Sequence, residues 1–192
     1  MQGTGRPSAP FRVLAVCTAN QCRSPLVEFA LRRRCEALDL DWSVSSCGTH
    51  ADSGRPPHPY VGRLLKARDD ELGGWSSRPL TADLLGAADL VLACALDNRN
   101  DIVRLSPTAA SRTFLLLPLA RWSTDLSGGL GSPADSVDTL RGRVARARDQ
   151  LPATELEADL PDPIGRRYGF FRKVDQMVEA AADALTAGRR GL

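Results

Sequence analysis

Residues 11–25, FRVLAVCTANQCRSP, decide the fold: they read as a buried strand that stops at a cysteine, makes one tight loop and re-emerges as a helix. Phe11, Val13, Leu14, Ala15 and Val16 form the short apolar run of a parallel strand covered on both faces. Ser24 as N-cap and Pro25 at the first helical position open the helix, and Leu26, Val27, Ala30, Leu31, Cys35 and Leu38 follow at helical spacing. A loop squeezed between a strand end and a helix start turns backbone N–H groups inward, with the positive end of the helix dipole behind them. It is an anion cradle.

Cys17 stands first in this cradle and Arg23 last. A thiol beside a helix N-terminus and a cation is expected to be largely thiolate near neutrality. Arg23 keeps its charge, and its planar fork matches two oxygens of a phosphate, arsenate or sulfate. The pair describes attack by sulfur on a tetrahedral oxyanion, giving a covalent thiophosphate. Spacing alone is a weak signal in a chain with 23 arginines and five cysteines. Context strengthens it: a strand before, a Ser-Pro helix start after, and Asn20 in mid-loop, a residue that tolerates the left-handed backbone a tight ring requires.

CTANQCRSP resembles the phosphate-binding loop of the low-molecular-weight protein tyrosine phosphatases, with Ala19 where those enzymes often carry glycine. Asp162 and Pro163, in ADLPDPIGRRYGFF, resemble the family's Asp-Pro signature. Ser46, Gly48 and Thr49 in SSCGTH match its serine-rich turn after the second strand, and ADLVLACALDN resembles its third strand and following loop. The likeness runs from about Phe11 to Leu185, with the four signals in the family's order. It implies a cysteine-dependent phosphatase in which Cys17 is the nucleophile and Arg23 binds the oxyanion. Asp162 would be the general acid and later the base, and Thr18, Ala19, Asn20, Gln21, Cys22, Arg23 and Ser24 would cradle the phosphate. Ser24 would also stabilise the thiolate, and Asn20 and Ser46 would brace the loop. Cys22 would form a protective disulfide with Cys17 on oxidation. Asp159, three residues before Asp162, is the alternative acid.

The same likeness implies an α/β fold: a four-stranded parallel sheet in the order 2-1-3-4, with helices on both faces and the anion loop at the topological switch point. In chain order, Trp42–Cys47 reads as the second strand, 58–70 as a helix, 80–87 as a short helix and Asp89–Cys94 as the third strand. Asn98–Leu105 reads as a helix and Arg112–Leu117 as the fourth strand. Trp122–Ser136 reads as a Gly/Ser-rich loop, Val137–Leu151 as a helix and 168–187 as the last helix. Residues 1–10 read as a disordered leader, 11–187 as one catalytic domain with an extra helix-containing insertion at about 121–158, and 188–192 as a short basic tail. Arg141, Arg143, Arg146 and Arg148 in the insertion read as a solvated face, because no aromatic residues interleave with them.

Length and composition agree: 192 residues at net charge +2 suit one globular domain and carry no mark of a nucleic-acid binder. No apolar run approaches the ~18 residues of a membrane span, and five cysteines without small-domain spacing point to a reducing compartment, the cytoplasm. Two histidines and no paired-cysteine cluster imply no metal, and no cofactor is expected.

Substrate is less sharply marked. Relatives flank the pocket with aromatic residues, whereas this chain offers His50 and Asp52 after the serine turn and Ile164 and Gly165 after Pro163. Gln21 puts an amide in the loop where phosphoarginine specialists prefer threonine, and Trp75 stands where relatives often brace the network with histidine. The expected substrate is a phosphotyrosine protein, with a small phosphate ester as the alternative. Cys94 raises a rival reading, a thiol-dependent arsenate reductase, but no second cysteine follows it in ALDNRNDIV. A non-catalytic oxyanion-binding module is the third.

Overall fold

The structure, a computed structural model, describes residues 9–70, 72–125, 130–131, 135–151 and 159–186. The expected basic tail and most of the expected leader lie outside the described residues. Four parallel strands, β1 (Phe11–Cys17), β2 (Trp42–Gly48), β3 (Leu90–Ala93) and β4 (Thr113–Leu115), form one sheet in the order β2-β1-β3-β4. The central strand β1 is apolar because both its faces are covered. Phe11, Val13 and Ala15 belong to one core and Leu14 and Val16 to the other.

Five helices pack on the first face: α1 (Arg23–Ala37), α2 (Pro59–Lys66), α5 (Leu116–Asp125), α6 (Val137–Gln150) and α7 (Tyr168–Thr186). The second face carries α3 (Ala82–Ala87), α4 (Leu96–Leu105) and a 3₁₀ turn (Pro107–Arg112). Alternating strand and helix thus produce the expected doubly covered sheet.

Two local readings are corrected. The stretch 112–117, expected as strand, is strand only over Thr113–Leu115; Leu116 already starts α5, which takes in Trp122–Asp125, expected as loop. Pro118 falls in the first turn of that helix, where its missing N–H is not needed, so the helix accommodates it. Secondly, Ser24 does not cap α1. The N-cap residue is Cys22, no side chain caps the helix, and Ser24 is buried inside its first turn with its hydroxyl turned to the loop.

Strand β2 lies at the sheet's edge, and its outward carbonyls are taken by arginines. Arg32 Nε donates to the Val44 carbonyl at 3.0 Å and Arg78 Nε to that of Ser46 at 2.8 Å. Further along, Gly48 exchanges backbone bonds with residues 78–80.

Candidate active site

The loop between β1 and α1 sits at the carboxyl end of the central strand. Its shape depends on two backbone features. Asn20 has φ of 52°, the left-handed conformation that the sequence reading assigned to it. Gly48 passes so close that a Cβ there would lie 2.4 Å from the Thr18 carbonyl oxygen and 2.7 Å from the Asn20 nitrogen. Only glycine fits that approach.

The segment after β2 then ties the loop down. Thr49 N donates to the Cys17 carbonyl at 2.9 Å, His50 N to that of Thr18 at 2.8 Å, and His58 N to that of Gln21 at 2.9 Å. In a trans peptide the carbonyl and the following N–H point oppositely. With these three carbonyls drawn outward, the N–H groups of Thr18, Ala19 and Cys22 face the ring's interior, the arrangement an oxyanion needs.

Behind the loop runs a closed chain of hydrogen bonds. Asn20 Nδ2 donates to Ser24 Oγ and to Ser46 Oγ, both at 2.9 Å, and Asn20 Oδ1 accepts from Arg78 N at 3.0 Å. Ser46 Oγ donates to Glu28 Oε2 at 2.5 Å, and Trp75 Nε1 donates to the same oxygen at 3.0 Å. Arg32 pairs with the other Glu28 oxygen at 2.6 Å. A carboxylate only accepts, so Ser46 must spend its proton on Glu28 and receive from Asn20. Asn20 in turn gives to Ser24, which leaves the Ser24 proton for Cys17 Sγ at 3.0 Å or the Cys47 carbonyl at 3.2 Å. The polarity of the whole chain therefore delivers a donor to the sulfur.

Arg23 closes the front. Its guanidinium is buried, and it bonds Asp162 Oδ2 at 2.8 Å, with longer contacts to Thr18 Oγ1 and the Leu160 carbonyl, each 3.4 Å. Asp162 is half exposed, its side chain at 50% against 8% for Arg23. Its other oxygen accepts from Ile164 N at 3.0 Å, an Asx turn that aims the carboxylate. Asp159, the alternative acid, is occupied elsewhere: its Oδ1 accepts from Leu96 N at 2.8 Å and so caps α4.

The remaining cysteines are buried and unpaired. Burial, reinforced by the negative charge of a Cys17 thiolate, pushes the Cys22 thiol up to about 12. Burial likewise holds Cys94 well above its ordinary value. His50 is exposed and leans toward Asp101 at 3.6 Å.

Three features escaped the sequence reading. Glu28 was not singled out, although a carboxylate four residues after Ser24, on the helix face that carries Leu31, was its signal. Asn98 donates to Thr18 Oγ1 at 3.1 Å from the first turn of α4. An aromatic cluster joins α2 to α7: His58 stacks on the buried Phe171 with centroids 4.6 Å apart, and Tyr60 meets Tyr168 at 5.3 Å.

Residues 12–130, more than half the chain, match the model of the low molecular weight phosphotyrosine protein phosphatases. Over 103 residues the chain is 30% identical to the low molecular weight protein-tyrosine-phosphatase Etp of Escherichia coli, covering 54% of this chain and 67% of that protein. It is 29% identical over 142 residues to a protein-arginine-phosphatase of Bacillus subtilis, covering 72% and 88%. The crystal structure of a low molecular weight protein tyrosine phosphatase from T. tengcongensis superposes with a TM-score of 0.69 at 26% identity, over 91% of this chain and 97% of that one. The family match ends at residue 130, so Asp162 lies beyond it. Motif order, sheet topology and these similarities agree: the chain belongs to the low molecular weight phosphotyrosine protein phosphatase family.

Proposed function

We propose that the protein hydrolyses phosphotyrosine in proteins through a cysteinyl-phosphate intermediate formed on Cys17. The observation that carries this reading is the convergence on one loop of a sulfur supplied with a donor by Ser24 and a guanidinium in contact with the Asp162 carboxylate.

A phosphate monoester entering the ring would exchange the Arg23–Asp162 contact for bonds between Arg23 and two phosphoryl oxygens. The Cys17 thiolate attacks phosphorus, the S–P bond forms, and the bond to the leaving oxygen breaks as Asp162 gives that oxygen its proton. Inward N–H groups and Arg23 hold the charge on the three equatorial oxygens. In the second step Asp162, now a carboxylate, takes a proton from water. The water oxygen bonds phosphorus, the S–P bond breaks, and inorganic phosphate leaves with the thiolate restored.

Tyrosine is favoured over arginine by Gln21, which stands in the loop where phosphoarginine specialists prefer threonine. No helix among the described residues is long and apolar enough to cross a membrane. Five unpaired cysteines, one of them the proposed nucleophile, support placing the protein in the reducing cytoplasm.

The test is metal-free release of phosphate from para-nitrophenyl phosphate by wild type and Cys17→Ser, followed by phosphotyrosine and phosphoarginine peptides. Loss of roughly 10⁴-fold or more is expected in the variant, with phosphotyrosine the better peptide. Full activity in a clean Cys17→Ser preparation removes Cys17 from the chemistry, and faster phosphoarginine turnover reverses the substrate assignment.

A further inference from the structure

The ground beside the loop is basic in a chain that is nearly neutral. Between Asp52 and Asp69, and again between Asp162 and Asp175, the sequence contains no carboxylate, yet these stretches carry eight lysines and arginines against a net charge of +2 for all 192 residues. Two of the eight are neutralised locally, Arg55 by Asp52 at 3.6 Å and Arg68 by the buried Asp175. Arg63, Arg166 and Arg167 are exposed and have no carboxylate partner among the described residues.

Their position ties them to the site. His58 N is bonded to the loop at Gln21, and α2 starts at the next residue. Tyr60, in its first turn, meets Tyr168 at the start of α7, six residues after Asp162. The two rings thus bridge from one side of the phosphate loop to the segment that carries the acid. Arg63 lies over Tyr168, its guanidinium carbon 4.4 Å from the ring centroid, and that of Arg166 lies 5.7 Å from the Phe170 centroid. Stacking fixes the head of a long side chain without neutralising it, so these guanidiniums are partly preorganised for a partner's carboxylate. Tyr60, 37% exposed, and Ile164, 53% exposed, add apolar area on the same side.

Resting on the phosphotyrosine reading above, we infer that this rim selects phosphotyrosine segments with acidic residues beside the phosphorylated one, through Arg63, Arg166 and Arg167. A chain lying across the rim would place its carboxylates against guanidiniums that have no carboxylate competitor among the described residues, while its phosphate occupies the loop. Attraction of this kind acts on encounter and binding, so it should be read in KM and kcat/KM and fade with salt.

The experiment compares two phosphotyrosine peptides differing only in glutamate or glutamine at the flanking positions, at about 20 and 200 mM salt. Enzymes are wild type, the triple variant Arg63→Gln/Arg166→Gln/Arg167→Gln, and the charge-keeping Arg63→Lys/Arg166→Lys/Arg167→Lys. Using the ratio of the two peptides within each enzyme cancels any damage to the pocket. Wild type should prefer the acidic peptide about tenfold in kcat/KM at low salt, the sum of three modest surface pairings. That ratio should shrink at high salt, approach one in the glutamine variant and return in large part in the lysine variant. A ratio near one in wild type, or one that survives the glutamine changes, overturns the inference while leaving phosphotyrosine hydrolysis standing. If neither peptide is hydrolysed by an enzyme that still cleaves para-nitrophenyl phosphate, the phosphotyrosine reading falls and takes this inference with it.

Discussion

The two halves of the site are built in opposite ways. Behind the loop, Asn20, Ser24, Ser46 and Glu28 are buried and bonded to one another in a fixed donor-to-acceptor order. In front, Asp162 is half exposed, and two backbone bonds flank it, Leu160 N to the Cys94 carbonyl at 2.8 Å and Arg166 N to the Pro163 carbonyl at 3.0 Å. The difference matches what the proposed mechanism asks of each half. An oxyanion is best stabilised by dipoles that need not reorganise. An acid that serves first a leaving group and then a water must reach two positions.

That contrast can be broken most forcefully at Asp162. Asp162→Ala should cost roughly 10²–10⁴-fold on alkyl phosphates, whose leaving oxygen needs the proton, and much less on para-nitrophenyl phosphate. Equal losses on both would make the carboxylate a structural partner of Arg23 and nothing more.

Asn20 tests the other half and should not discriminate. Asn20→Ala strands buried partners at Ser24, Ser46 and Arg78 and puts alanine at a left-handed position. About 2–4 kcal/mol of stability should go, read by denaturant unfolding, with all substrates slowed alike. Asn20→Gly removes the same bonds but not the backbone freedom, so it should recover about 1 kcal/mol of that loss. No difference between the two would mean that φ at this position carries no strain.

A smaller effect is expected at the far end of the chain. Trp75→Phe removes one of three donors to Glu28, leaving Ser46 and Arg32, and should cost about 1 kcal/mol. Because indole does not titrate, the brace it provides is constant across the working pH range; a pH-rate profile reshaped by Trp75→Phe would contradict this.

The smallest effect concerns the loop's second thiol. With its pKa pushed up to about 12 by burial, Cys22 stays a thiol around neutral pH. Iodoacetamide at pH 7 should therefore leave Cys22 unmodified in mass spectra while labelling Cys17. On peroxide treatment Cys22 should act only as the thiol that resolves an oxidised Cys17, so Cys22→Ser should lose thiol-reversible recovery without changing the initial rate of inactivation.

Much of the front half was legible in the sequence because it is written locally. Cys17 and Arg23 share one loop, and Asp162 announces itself beside a proline. The back half is assembled from four separate stretches, around residues 20–28, 46, 75 and 78, and no local pattern says that Glu28 and Trp75 share an oxygen. The reading of Ser24 as a cap failed for a related reason. Serine before proline at a helix start fits a cap on local grounds, and only the sulfur seven residues earlier shows where its proton goes. For α5 the obstacle was different: the continuous apolar run Phe114–Leu117 has no period, and nothing local marks Leu116 as the change from strand to helix.

The arginines on the β2 edge have a further consequence. An open strand edge invites another chain to dock and extend the sheet, a common route to aggregates. Arg32 and Arg78 occupy the carbonyls such a chain would use, and they belong to the same assembly that positions Asn20 through Arg78 N and Glu28 through Arg32. Edge protection and site geometry thus meet in two residues, Arg32 serving both through its side chain and Arg78 through its side chain on the edge and its backbone N–H on Asn20.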